Sequence, residues 1–171
     1  MIPIDVMQAI RERRSVRHYQ KRPVEEEILA EILEAARLSP SASNRQDWKF
    51  IVARDRDKVA ALAAAAAQPF VGEAPVVIAG VALNPERVMR CGVPPYAVDL
   101  AIAMTGITLV AAARGLGTCW IGAFDQEQAK KILGVPAQYR IVELMPLGYP
   151  ADEPGAKTRK PVEEVVSYDR F

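Results

Sequence analysis

The sequence predicts a single mixed helix-and-strand domain over residues 1–171, and three observations carry that reading. Segments with apolar residues three and four apart open on aspartate or glutamate, the pattern of capped amphipathic helices. Between them lie short runs rich in β-branched and aromatic residues, bounded by glycine and proline, the pattern of strands. Composition agrees: 171 residues, 50% hydrophobic and 25% charged, are enough to remove roughly 70% of the unfolded surface from water. No internal repeat or interdomain linker interrupts the chain.

Asp5 with Gln8 has the form of a capping box and opens a helix whose Met7 and Ile10 share a face, ending near residues 13–17. A second helix begins around Pro23 and Val24 and carries Glu25, Glu26 and Glu27 in its first turn. It buries Ile28, Leu29, Ile32, Leu33 and Ala36 and stops at Pro40, which restricts Ser39. Residues 48–53 read as the first strand, and Asp55 caps an alanine-rich helix with its core at 60–67. The continuous apolar run at 75–83 reads as a strand buried on both faces, followed by a loop over 84–95.

Residues 96–114 form a long helix that is apolar around most of its circumference, so it must be covered on every side, in part by another subunit. Its most apolar stretch, 97–113, is shorter than the ~20 residues that span a bilayer, which makes it a buried helix. Gly115 ends it, and 118–121 form a short strand. Asp125 with Gln128 opens a further helix closed by Gly134. Residues 139–147 read as the last central strand and 162–166 as a late edge strand.

A net charge of +1, from 22 basic and 21 acidic side chains, calls for neither nucleic acid nor an anionic membrane. Cys91 and Cys119 form no CxxC pair, so they read as buried thiols in a reducing compartment. The first residues lack the basic and apolar regions of a secretory signal, which makes the cytoplasm the expected location. No GxGxxG follows a strand and no GxxxxGK[ST] occurs. His18 is the only histidine, so triad hydrolysis and metal sites lack their usual residues.

Four short clusters carry candidate chemistry. Arg13, Arg14, Ser15 and Arg17 suit a phosphate, because guanidinium groups bind its oxygens bidentately and Ser15 adds a neutral donor. A solvated basic helix end is the competing reading. Ser41, Ser43, Asn44 and Gln46, pinned by Pro40 and anchored by Trp48, suit the alternating donors and acceptors of a flat polar ring, or only a turn. Gly122 leaves backbone amides open to close approach, or marks a tight turn. Lys157, Arg159 and Lys160 either reach the first cluster's phosphate or stay solvated.

In order, Arg13-Arg14-Ser15-Val16-Arg17, Pro40-Ser41-Ala42-Ser43-Asn44-Arg45-Gln46-Asp47-Trp48, Gly115-Leu116-Gly117-Thr118-Cys119-Trp120-Ile121-Gly122 and Lys157-Thr158-Arg159-Lys160-Pro161 resemble the FMN-dependent nitroreductase family. The chain departs at Asp47, where that family often has proline. The resemblance implies an α+β fold, with a central, mainly antiparallel sheet flanked by helices and a long apolar helix at a homodimer interface. It also implies two FMN molecules in clefts between subunits, and a C-terminal tail, about 148–171, packed on the partner.

By the same resemblance, Arg13, Ser15, Lys157 and Arg159 hold the FMN phosphate, Arg14 lies near the ribityl chain and Arg17 near the pyrimidine. Ser41 and Asn44, with Pro40 and Ala42, reach the flavin of the other subunit. Gly122 presents its amide, or Ala123's, to N5, Ile121 beside them also belongs to the flavin site, and Gln68 is a further candidate for the ring edge. The implied reaction is ping-pong: NADH or NADPH reduces FMN, and a nitroaromatic, quinone or related small acceptor reoxidises it, with no catalytic side chain. Two alternatives stand beside it: a same-fold flavoenzyme with another reaction (dehalogenation, flavin breakdown, ring oxidation), and a non-catalytic dimeric flavin-binding or regulatory module.

Overall fold

The computed structural model describes residues 5–153, 155 and 157–171. Residues 1–4, part of the stretch read above for a signal, and residues 154 and 156 of the tail lie outside the described residues. The described chain carries five helices: α1 (Val6–Glu12), α2 (Glu26–Arg37), α3 (Arg56–Ala65), α4 (Pro95–Ala113) and α5 (Gln126–Leu133). Its strands are β1 (Trp48–Ala53), β2 (Val76–Ala82), β3 (Gly117–Thr118) and β4 (Arg140–Gly148), in sheet order β1-β2-β4-β3. Every strand pair is antiparallel, and one parallel bridge joins Ser15 to Thr118. This is the expected α+β architecture.

Period-two alternation in β2 explains its continuous apolar run. Val77, Ala79 and Val81 face a core built with α3 and α5, while Val76 and Ile78 face a second core with α2 and α4. The strand is therefore buried along its whole length, as expected. Capping follows the sequence as well, since Asp5, Asp55 and Asp125 each accept a backbone N–H of their helix. Gly134 closes α5 in the left-handed conformation, φ 67°.

Several expectations are corrected. Gln8 donates to Glu12 rather than back to Asp5, so the first capping box is half made. Met7 and Ile10 of α1 are exposed, and only Ala9 is buried, because the helix lies at the rim of the domain. The ladder at 118–121 shrinks to Gly117–Thr118 plus a bridge from Ile121 to Leu144. Residues 162–166 form no strand: Val162–Glu164 is a 3-10 turn, Val162, Val165 and Val166 are exposed, and among the described residues no strand lies beside them to complete a ladder. Cys119 is buried, but Cys91 is exposed on the loop before α4.

Helix α4 has 19 residues and by length and composition is long and apolar enough to cross a membrane, longer than the stretch weighed above. Within the fold its inner stripe, Leu100, Ala103, Met104, Ile107 and Ala111, is core. Val98 and Ile102 on its outer face are exposed, so this chain covers only half of it.

Candidate functional site

The basic segment after α1 is shaped by a glycine. Val16 donates its N–H to the carbonyl of Thr118 at 2.9 Å, which lays residues 15 and 16 against β3. A Cβ at Gly117 would stand 2.3 Å from Cγ2 of Val16, so only glycine admits this close approach. Nothing beside Gly117 in the sequence signals this need; it arises only where residues a hundred positions apart meet. With Val16 turned inward and 3% exposed, alternation sends Ser15 and Arg17 outward. Tyr19 pins the segment by donating its hydroxyl to the carbonyl of Val16 at 2.7 Å, and burial pushes its phenol well above the ordinary range.

The tail reaches the same place. Lys157 donates to the carbonyl of Ile10 at 2.5 Å, near the end of α1, and Arg14 donates to the carbonyls of Arg11, Glu12 and Arg13. Together they enclose a cavity of about 520 Å³ lined by Arg13, Arg14, Ser15, Arg17, Gly155, Lys157, Thr158 and Arg159. Five cations and two hydroxyls line it, with no carboxylate among the described lining residues. Desolvation, then the charges of Arg13, Arg159 and Arg14, push the Lys157 ammonium below its ordinary range. Like charges crowded this way favour the arrival of an anion. Burial raises the Cys119 thiol beside it, with Arg17 and a hydrogen bond to Ser15 opposing.

The cradle opens toward α4. A second hollow of about 580 Å³ shares Arg13, Arg14, Lys157 and Arg159 and adds Ile10, Arg11, Thr105 and Leu109. Thr105 in turn borders an apolar hollow on α4 lined by Ala97, Val98, Ala101 and Ile102. The cationic site and the uncovered apolar helix face are therefore one continuous surface.

The polar loop sits elsewhere. Residues 42–44 make one 3-10 turn in which Ser43 and Asn44 take φ 57° and 51°, and Gln46 follows at φ 55°. Three non-glycine residues in the left-handed region so close together store strain of a kind concentrated at ligand sites. Ser41 Oγ accepts the N–H of Gln46 at 3.0 Å, and the Gln46 amide donates to Asn44 Oδ1 at 3.2 Å. Pro40 is exposed and Ala42 half-buried. Among the described residues, no hydrogen bond or cavity given above joins this loop to residues 13–17.

A third cluster lies past β3. Ile121 is buried and exchanges backbone hydrogen bonds with Leu144 at 2.9 and 3.0 Å, which fixes the exposed Gly122 and Ala123 beyond it. A Cβ on Gly122 would meet nothing within 4 Å. Asp125 donates to the carbonyl of Ala65, which ties this turn to the end of α3, and half-buried Gln68 follows that helix end.

The sequence profile of the nitroreductase family matches residues 10–76 and 63–149. The chain belongs to the nitroreductase family. Among its relatives, an NADH dehydrogenase of Thermus thermophilus is 36% identical over 195 aligned positions, which cover 95% of each chain. A 5,6-dimethylbenzimidazole synthase of Rhodospirillum rubrum is 31% identical over 82% of this chain and 80% of its own. The solved NADPH:FMN oxidoreductase of Vibrio harveyi in complex with NAD+ superposes with a TM-score of 0.88 at 26% identity, covering 97% of this chain and 74% of that one. As a nitroreductase-family chain, it gathers Arg13, Arg14, Ser15, Arg17, Lys157 and Arg159 around one cavity. It keeps the polar loop and the Gly122 turn as two further groups.

Proposed function

We propose that this nitroreductase-family protein is a homodimeric, cytoplasmic FMN-dependent oxidoreductase that takes electrons from NADH or NADPH and delivers them to nitroaromatic, quinone or related small acceptors. The cradle is the observation that carries the proposal: five cations and Ser15, drawn from the two ends of the chain, surround one cavity with no carboxylate among its described lining residues. Such a set fits the dianionic phosphate of FMN, and the open space at Gly122 fits the close approach of a flat ring. When bound, FMN would supply the hydride-accepting and electron-donating chemistry of a ping-pong cycle.

This chain's residues then bind and orient. Arg13, Ser15, Lys157 and Arg159 hold the phosphate, Arg14 lies near the ribityl chain, and the Ile121, Gly122 and Ala123 turn presents backbone amides near N5, with Gln68 at the ring edge. Arg17 places a cation near the pyrimidine, where it stabilises negative charge on the reduced ring. The outer face of α4 meets the partner, whose residues 40–44 close the site over the ring, and the exposed apolar tail packs across the same interface. This arrangement explains why the loop and the cradle of one chain stay apart.

Steady-state rates with NADH and NADPH against a quinone test the proposal: parallel double-reciprocal lines support ping-pong turnover, and no turnover with either nucleotide overturns it. A second reading, synthesis of a benzimidazole, is favoured by the likeness to the 5,6-dimethylbenzimidazole synthase. It predicts a benzimidazole product from the FMN-loaded protein, whereas the reductase reading predicts none.

A further inference from the structure

We infer that Asp99 is a positioning residue for the flavin, acting through the polar loop; the inference rests on the proposed reading that residues 40–44 reach the partner's FMN. Asp99 stands in the second turn of α4 and is 6% exposed, a carboxylate set in the same stripe as Leu100 and Ala103. Burial of such a group is costly unless a donor meets it. The donor is the backbone N–H of Ala42, 3.0 Å from Asp99 Oδ1. Ala42 opens the strained turn, and Ser43 and Asn44 follow it with positive φ.

A second fastening lies two helical turns further on. Gly106 lets the end of α2 approach α4 closely, since a Cβ there would stand 3.4 Å from the carbonyl of Ala35 and 3.5 Å from Ser39 Oγ. Ser39 Oγ in turn donates to the carbonyl of Ala35 at 3.0 Å. The chain thus meets α4 at both ends of the Ser39, Pro40 and Ser41 linker, by close packing at Gly106 and by the hydrogen bond to Asp99. Because α4 also carries the uncovered apolar face, the loop moves as one body with the proposed interface. Asp99 thereby sets the loop's position relative to the neighbouring cradle, where an error of one ångström matters.

The test uses Asp99→Ala, Asp99→Asn and Ala42→Pro, read by FMN fluorescence titration. Ala42→Pro removes the donor without touching the core of α4, and the extended Ser41 before it, φ −140° and ψ 158°, tolerates a following proline. Asp99→Ala and Ala42→Pro are expected to weaken FMN binding about tenfold, the effect of one lost charge-assisted hydrogen bond. Asp99→Asn keeps the acceptor oxygen and is expected to stay within about twofold of wild type. Wild-type affinity in either Asp99→Ala or Ala42→Pro overturns the inference.

A mixed dimer separates this inference from the reading beneath it. One protomer carries Asp99→Ala and the other Arg13→Ala with Arg159→Ala, so one site keeps both an intact cradle and an intact loop. One FMN bound per mixed dimer with wild-type affinity is the expected result, and two weakened sites, neither with wild-type affinity, overturn the action of Asp99 across the interface. Wild-type affinity in the Arg13→Ala, Arg159→Ala homodimer instead overturns the cradle itself.

Discussion

Glu143 makes the stability of this fold depend on pH in an unusual direction. Its side chain is 3% exposed on β4, opposite Gly80 of β2, and its Oε1 has no hydrogen-bond partner among the described residues. A Cβ at position 80 would stand 2.7 Å from that oxygen, so the glycine makes room for the carboxyl. Burial pushes its pKa from 4.5 up to about 7. The folded chain therefore keeps a proton across that window that the unfolded chain has released, and stability falls as pH rises. The contribution is full below 4.5 and gone above about 7.

The gap, 7 less 4.5, is worth about 3 kcal/mol. Urea unfolding of FMN-free wild type and Glu143→Gln, at one fixed protein concentration and from about pH 4.5 to about pH 8, isolates this group because other titrations cancel in the difference. The stability difference should move by about 3 kcal/mol in favour of Glu143→Gln as pH rises. Parallel pH curves, or a wild type that gains on the mutant with rising pH, would refute the reasoning.

Arg13→Ala with Arg159→Ala should raise the FMN dissociation constant by about a hundredfold, roughly tenfold for each charge-assisted contact, and flatten its salt dependence; fluorescence titration at two ionic strengths checks both. Gly117→Ala drives a Cβ into Val16 and should cost about 1–3 kcal/mol in urea unfolding. Gly122→Ala, with open space around its Cβ, should change FMN-free stability by less than about 0.5 kcal/mol. Ile102→Asp on the exposed face of α4 should yield a monomer by light scattering that binds FMN poorly; a monomer with wild-type FMN affinity would contradict the composite site.

The fold was legible wherever the signal was local. The run at Val76–Ala82 needed only its own composition, and the aspartate caps at 5, 55 and 125 needed only the residues beside them. The cradle was legible in its residue types, because five cations and a serine suit an anion wherever the chain puts them. What stayed hidden depends on distant partners. The need for glycine at 117 appears only when Val16 docks on β3, and the role of Asp99 only when Ala42 turns its N–H toward α4. Val162, Val165 and Val166 mimic an edge strand, yet a ladder needs a neighbour that the sequence cannot display. Glu143 is hidden for the opposite reason: a charged residue in a strand signals the solvent face, and here it sits inside.

The central claim, that two of these chains hold FMN and use it for nicotinamide-driven electron transfer, is tested most directly by an anaerobic visible spectrum of the FMN-loaded dimer. On addition of NADH or NADPH the flavin absorbance should bleach, and it should return when a quinone is added. Bound FMN whose absorbance is unchanged by both nucleotides would contradict the account and leave a flavin-binding module without turnover.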